Sequence, residues 1–151
     1  LSGLGAPHWD PEARGLICGL TRGSNAGHIA RATLESIALQ VNDVIGAIRD
    51  DALRPVTRLR VDGGAAANDL LMQYQADVSD LVIERPKDLE STARGAAMLA
   101  GVGAGLFPDI FDAQRMVQHP DRFRPTMSVS DRHGHLERWR DALARTRSRN
   151  H

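Results

Sequence analysis

Residues 60–71, RVDGGAAANDLL, decide how this chain reads. An alternating stretch, Thr57-Arg58-Leu59-Arg60-Val61, predicts a short strand. It runs into Asp62 and the paired Gly63 and Gly64, after which three alanines and Asn68-Asp69 open an apolar, helix-like run. Asn68 is placed to cap that helix, because a short side-chain oxygen can accept from an unpaired first-turn N–H. Leu71, Tyr74 and Val78 then recur on one side through about Ser79. Glycine tolerates positive φ and lets another group lie against the backbone. Two readings therefore fit the residues alone. The stretch is a tight strand-to-helix turn, or it is a turn whose free N–H groups meet an anion or a nucleotide. It matches neither the Gly-x-Gly-x-x-Gly fingerprint nor the lysine-containing phosphate loop.

Upstream, Ile29, Leu34, Ile37, Val41, Val44, Ile45 and Ile48 recur at three- and four-residue steps. They predict one apolar face of a helix over residues 25–49, capped by Ser24 or Asn25 and unable to pass Pro55. Before it, residues 1–24 carry five glycines and two prolines around the short apolar run Leu16-Ile17-Cys18, which reads as loops. Downstream, Leu81-Val82-Ile83 predicts a brief strand stopped by Pro86. Helices are expected over 90–106, 109–118 and 131–147. The first of these is rich in small residues (Ala93, Ala96, Ala97, Ala100, Ala104) that would let another element approach closely. The last carries Leu136, Trp139 and Leu143 at helical spacing. The pattern is α/β and helix-rich, with too few strands for a sheet of its own.

The chain has 151 residues, 42% of them hydrophobic and 25% charged, which suits a soluble globular protein of one domain. Nineteen basic and 19 acidic residues balance to a net charge of +0, so charge gives no case for nucleic acid or an anionic membrane as partner. The one cysteine, Cys18, rules out an internal disulfide framework, suits a reducing cytoplasmic setting and is expected in the core. No apolar run reaches the roughly 18 residues of a spanning helix, and no leader pattern is visible. The chain begins Leu-Ser-Gly, without Met, and is expected to be a piece of something longer. His133 and His135 flank Gly134 with no further ligand at zinc spacing, so no metal site is expected there. Trp9 and Asp10 sit in a proline-bounded loop, expected to be packed near a site or over the core. The basic tail, Arg145 to Arg149, reads as the solvated end of the last helix. No spacing supports a Ser/His/Asp or Cys/His catalytic set.

Four stretches follow in order: SGLGAPHWDPEARG, GLTRGSNAGHIARATLESIALQ, VDGGAAANDLLMQ and ARGAAMLAG. Together they resemble the C-terminal part of the FGGY carbohydrate kinases over about residues 1–145. LGAPHWDP is more similar to the family's glycerol-phosphorylating branch than to its pentulose and hexulose kinases. The resemblance implies most of the second actin-like ATPase domain, of ribonuclease-H-like fold, without its opening strands. It implies ATP as co-substrate, with Mg²⁺ bound to the nucleotide, and glycerol held by a preceding part of a full-length homo-oligomer. In the family's adenosine motif the second glycine and the Asn four residues later contact ATP. Those positions are Gly64 and Asn68 here. The family's glycerol-binding residues, its catalytic Asp and its phosphate hairpins all precede this segment, so no catalytic residue is expected in it and the chain alone is expected to be inactive. The alternatives are another sugar or polyol kinase of the family and a non-catalytic nucleotide-binding module. The chain departs from the family at His8, where Tyr is usual, at Ser79 and Asp80, where apolar residues and Gly are usual, and at Arg94, where a small or apolar residue is usual.

Overall fold

The computed structural model describes residues 3–52, 55–115, 117 and 119–147. Its first helix, α1 (Ala26–Asp51), is capped by Asn25. The Asn25 side chain accepts from the His28 N–H, and the His28 ring accepts from the Asn25 N–H, each at 3.2 Å. This reciprocal pair satisfies two donors that a helix start would otherwise leave unpaired. The 26-residue helix has two apolar faces rather than the one expected. Ala38, Leu39 and Ile45 are buried, while Ile29, Ile37, Val44 and Ile48 are exposed. A period of 3.6 places the second set on a flank that no described element covers.

Strand β1 (Arg58–Arg60) leads through a short 3₁₀ turn (Gly64–Ala67) into α2 (Asp69–Ser79). Helix α2 is the centre of the molecule: Leu71, Met72, Tyr74, Ala76 and Val78 are all buried. It packs against α1 on one side and the sheet on the other, and it joins Leu81 and Ile83 in a single hydrophobic cluster. The expected Leu71, Tyr74 and Val78 face is therefore present, widened because α2 is enclosed on several sides. Strand β2 (Val82–Arg85) pairs parallel with β1.

A third strand, β3 (Asp121–Phe123), pairs antiparallel with β2 and gives the order β1-β2-β3. The sequence gives no alternation there, because Asp-Arg-Phe lies between Pro120 and Pro125. Cross-strand charge holds it instead: Arg122 donates to Glu84 at 3.1 Å and Arg85 to Asp121 at 3.2 Å. Flanking prolines suit an edge position, where N–H groups need no ladder partner. Helices α3 (Ser91–Gly103) and α4 (Ile110–Gln114) pack on each other. Among the described glycines of α3, the close approach is at Gly101, where a Cβ would stand 2.8 Å from the Phe107 ring. The expected alanine stripe is exposed. Residues 116 and 118 of the expected 109–118 helix lie outside the described residues, and the observed helix ends at Gln114. Helix α5 (Val129–Thr146) lays Leu136 and Trp139 on the core. Its Arg145 pairs with Asp141 at 2.6 Å, and Arg149 lies outside the described residues.

Two placements correct the sequence. Cys18 is exposed, because Leu16-Ile17-Cys18 finds no strand partner among the described residues and stays at the surface. Trp9 is 76% exposed, with φ +49, so it is neither packed nor a lid. Its loop is closed by hydrogen bonds between Leu4 and Asp10. At His8 the ring reaches Asp43 at 3.3 Å, and Trp139 Nε1 donates to the same carboxylate oxygen at 2.8 Å. One acid thus ties the first loop and α5 to α1. Asp80 ends α2 in the left-handed region at φ 54, and its carboxylate meets Arg132 at 2.7 Å. Asp is among the few residues other than Gly that adopt this backbone at modest cost. Buried Ser79 donates back to the Gln75 carbonyl at 2.6 Å, so its hydroxyl is satisfied where an apolar side chain is usual.

Glu84 is the most heavily countered group, with Arg58, Arg60 and Arg122 within 3.9, 3.4 and 3.1 Å. Burial would raise its carboxyl, but Arg122 and then Arg60 and Arg58 outweigh burial and hold it below the usual carboxylate range. A carboxyl depressed on folding stabilises the fold above its unfolded pKa, about 4.3 for Glu. That contribution is lost as pH falls through the lower folded value. Thermal unfolding of Glu84→Gln followed from neutral pH into acid should show a flatter acid limb than wild type. Equal acid slopes would remove Glu84 from the account.

Candidate nucleotide turn

The turn between β1 and α2 gives its two glycines different work. Gly63 has φ +78, a backbone that a side chain would strain, and its N–H donates to the Leu89 carbonyl at 3.2 Å. It is the glycine the turn itself requires. Gly64 has no positive φ, and a Cβ built on it would meet nothing within 4 Å. Among the described residues, its N–H has no backbone partner. Neither torsion nor internal packing explains Gly64.

Asn68 caps α2 as the sequence predicts. Its Oδ1 accepts from the Leu71 N–H at 3.0 Å, and its backbone N–H donates to the Ala65 carbonyl at 3.2 Å. Among the described residues its side-chain NH₂ has no protein acceptor. One half of the amide is used by the helix and the other is available. Gly64 and Asn68 thus stand at the two ends of one exposed 3₁₀ turn, anchored beneath by the buried Ala66.

The turn is held from below by a residue that sequence reasoning missed. Arg85, at the end of β2, donates to the Ala66 carbonyl at 3.0 Å and to Asp69 at 2.7 Å. It also donates to Asp121 at 3.2 Å, and Lys87 pairs with that same carboxylate. Hydrogen bonding to Asp69 raises the Arg85 guanidinium still further, and Lys87 and Arg85 hold Asp121 below the usual carboxylate range. The only sequence signal for Arg85 is a charged residue closing a strand ahead of Pro86.

A cleft of about 540 Å³ opens beside the turn, lined by Arg60, Asp62, Glu84, Ser91, Arg94 and Met98 among others. Gly64 and Asn68 do not line it. Glu84 is already taken by three arginines, and Arg94 is folded back onto the Asp88 carbonyl at 3.1 Å and Ser91 at 3.3 Å. Arg60, Glu84 and Arg94 of the cleft thus already have protein partners, which leaves the turn as the better candidate. His135 shares a hydrogen bond with the Tyr74 hydroxyl at 2.9 Å, and burial pushes that hydroxyl up to about 12. His133 stands 3.8 Å from Glu137. Among the described residues no group of three or more His, Cys, Asp or Glu is arranged to hold a metal ion.

The chain is similar to known proteins along nearly its whole length. It is 53% identical over 145 residues to a glycerol kinase of Bdellovibrio bacteriovorus, covering 96% of this chain and 29% of that protein. It is 51% identical over 147 residues to a glycerol kinase of Acinetobacter baylyi, covering 97% of this chain and 30% of that protein. Among solved structures, Plasmodium falciparum glycerol kinase with ADP superposes with a TM-score of 0.85 at 33% identity, over 99% of this chain and 30% of that one. The chain therefore spans about 30% of the length of the relatives it matches. Its fold is that of the actin-like, ribonuclease-H-like ATPases. Residues 1–104 match the FGGY family of carbohydrate kinases, C-terminal domain, and the chain belongs to that family.

Proposed function

We propose that this chain is the nucleotide-side portion of an ATP-dependent glycerol kinase, which converts glycerol to glycerol 3-phosphate. The observation that carries the reading is Gly64: a glycine with no torsional or packing need of its own, on an exposed turn. In a domain of this family, a ligand that lies against the backbone supplies the missing reason. Gly64 admits the adenosine portion of ATP, and the free NH₂ of Asn68 donates to it while Oδ1 keeps α2 capped. Glycerol and the reacting phosphate are held by residues that precede this segment in the full-length kinase. Phosphoryl transfer depends mostly on positioning and charge stabilisation, and this turn contributes the positioning of ATP. On this reading Mg²⁺ travels with the nucleotide, and no ligand to it is assigned among the described residues.

Asn68→Asp in the full-length kinase tests the assignment. Aspartate retains an oxygen for the Leu71 N–H, so the cap survives. It replaces the donor with a negative charge facing an anionic ligand. KM for ATP should rise roughly tenfold, the scale of a lost hydrogen bond plus repulsion, with KM for glycerol little changed. Wild-type ATP affinity in a folded Asn68→Asp enzyme would leave Asn68 as a cap alone.

A further inference from the structure

We infer that Arg85 is a positioning residue for ATP, acting through the turn that carries Gly64 and Asn68; this rests on the nucleotide reading of that turn. One guanidinium spans three elements. From the end of β2 it reaches the Ala66 carbonyl inside the 3₁₀ turn, the Asp69 carboxylate at the first residue of α2, and Asp121 on β3. Its carbon also stands 5.0 Å from the centre of the Phe123 ring. Arg85 thus holds the segment from within and from its end: Ala66 lies two residues after Gly64, and Asp69 directly follows Asn68. The Arg85 side chain is only 15% exposed, against 76% for Asp69, so the arginine is the fixed member and the turn is what it fixes.

The second support of the turn is the Gly63 N–H to Leu89 carbonyl bond. Both supports come from the β2 end and the loop after it, one before Pro86 and one beyond. Among the described residues the turn's other backbone tie to the sheet is the bond from the Val61 N–H to the Glu84 carbonyl, ahead of the glycines. Arg85 and Leu89, with the buried Ala66, hold the turn against the end of β2. One guanidinium nitrogen donates to both the Ala66 carbonyl and the Asp69 carboxylate while the other donates to Asp121, and a planar group held at both nitrogens fixes orientation as well as distance, which a lysine ammonium does not.

The test is steady-state kinetics on the full-length kinase. Arg85→Met should raise KM for ATP roughly tenfold, the scale of losing hydrogen bonds from a charged donor, with KM for glycerol unchanged and kcat reduced much less. Arg85→Lys should recover only part of the loss. Asp69→Ala provides an independent arm on an exposed residue and leaves no oxygen there for Arg85. Removing a negative charge beside an anionic ligand would by itself tighten ATP. A rise of about threefold in KM for ATP would therefore report a displaced turn and not altered electrostatics. Unchanged or lower KM for ATP in Asp69→Ala, or an Arg85→Met effect confined to kcat together with lowered Tm, overturns the inference. If Asn68→Asp also leaves KM for ATP unchanged, the nucleotide reading falls. If Asn68→Asp weakens ATP while Asp69→Ala and Arg85→Met do not, only the role of Arg85 falls.

Discussion

Purified and assayed alone, the 151-residue chain should form no glycerol 3-phosphate from ATP and glycerol. On the proposed reading its described residues supply a turn for the nucleotide, and neither the acid that accepts the glycerol hydroxyl proton nor the clamp for the transferred phosphate is assigned to them. The family resemblance puts those groups ahead of this segment, and the chain spans about 30% of its relatives' length. Holding two reactants in line contributes on the order of 7–11 kcal/mol to such a reaction. One side of a two-sided cleft cannot provide it. A coupled glycerol 3-phosphate assay, with the full-length kinase as control, should give the no-enzyme rate for the chain. Glycerol-dependent turnover would place catalytic groups within these residues and sink the present assignment.

Gly64→Val in the full-length kinase should weaken ATP by roughly 100-fold, about 2.8 kcal/mol at 1.4 kcal/mol per decade. A Cβ at Gly64 would meet nothing within 4 Å in the protein itself, so folding should be spared, and on the proposed reading the branched carbon would project into the nucleotide's space. Glycerol affinity should change much less. The neighbouring substitution separates the two glycines. At Gly63, with φ +78 and ψ 175, valine would be forced into a backbone region essentially reserved for glycine, at a cost of about 1–3 kcal/mol, and lowers stability first. Isothermal titration with a non-hydrolysable ATP analogue, beside thermal unfolding of both variants, reads the two effects separately. Wild-type affinity in folded Gly64→Val would return the motif to a plain turn.

The sequence revealed the parts of this fold whose reasons are local. The Asn25 and Asn68 caps, the strand that runs into Asp62-Gly63 and the buried side of α2 all follow from residues a few positions apart. What escaped was set by distant partners. Strand β3 has no alternation and exists because Glu84 and Arg85 meet Arg122 and Asp121 across the chain. The second apolar face of α1 blurred its period, so seven residues that read as one face divide between core and surface. Cys18 and Trp9 were misplaced for the opposite reason: apolar character alone does not say whether a neighbour exists to cover it. At the candidate site, the Asn68 cap was visible in the residues, and the Gly64 and Asn68 contacts came from family resemblance. Arg85 was invisible, because its partners lie 16 and 36 positions away.

The two tryptophans turn the architecture into a pair of optical reporters. Trp139 is part-buried against the core, with its indole N–H held by Asp43, whereas Trp9 stands 76% exposed. Their emission should differ in colour and in quenching by acrylamide: Trp9 red-shifted and readily quenched, Trp139 blue-shifted and shielded. Because Asp43 also holds His8, loosening of α5 from α1 and release of the first loop share one carboxylate. A spectroscopist following Trp139 through a denaturant titration would be watching both ends of the chain let go of the same residue.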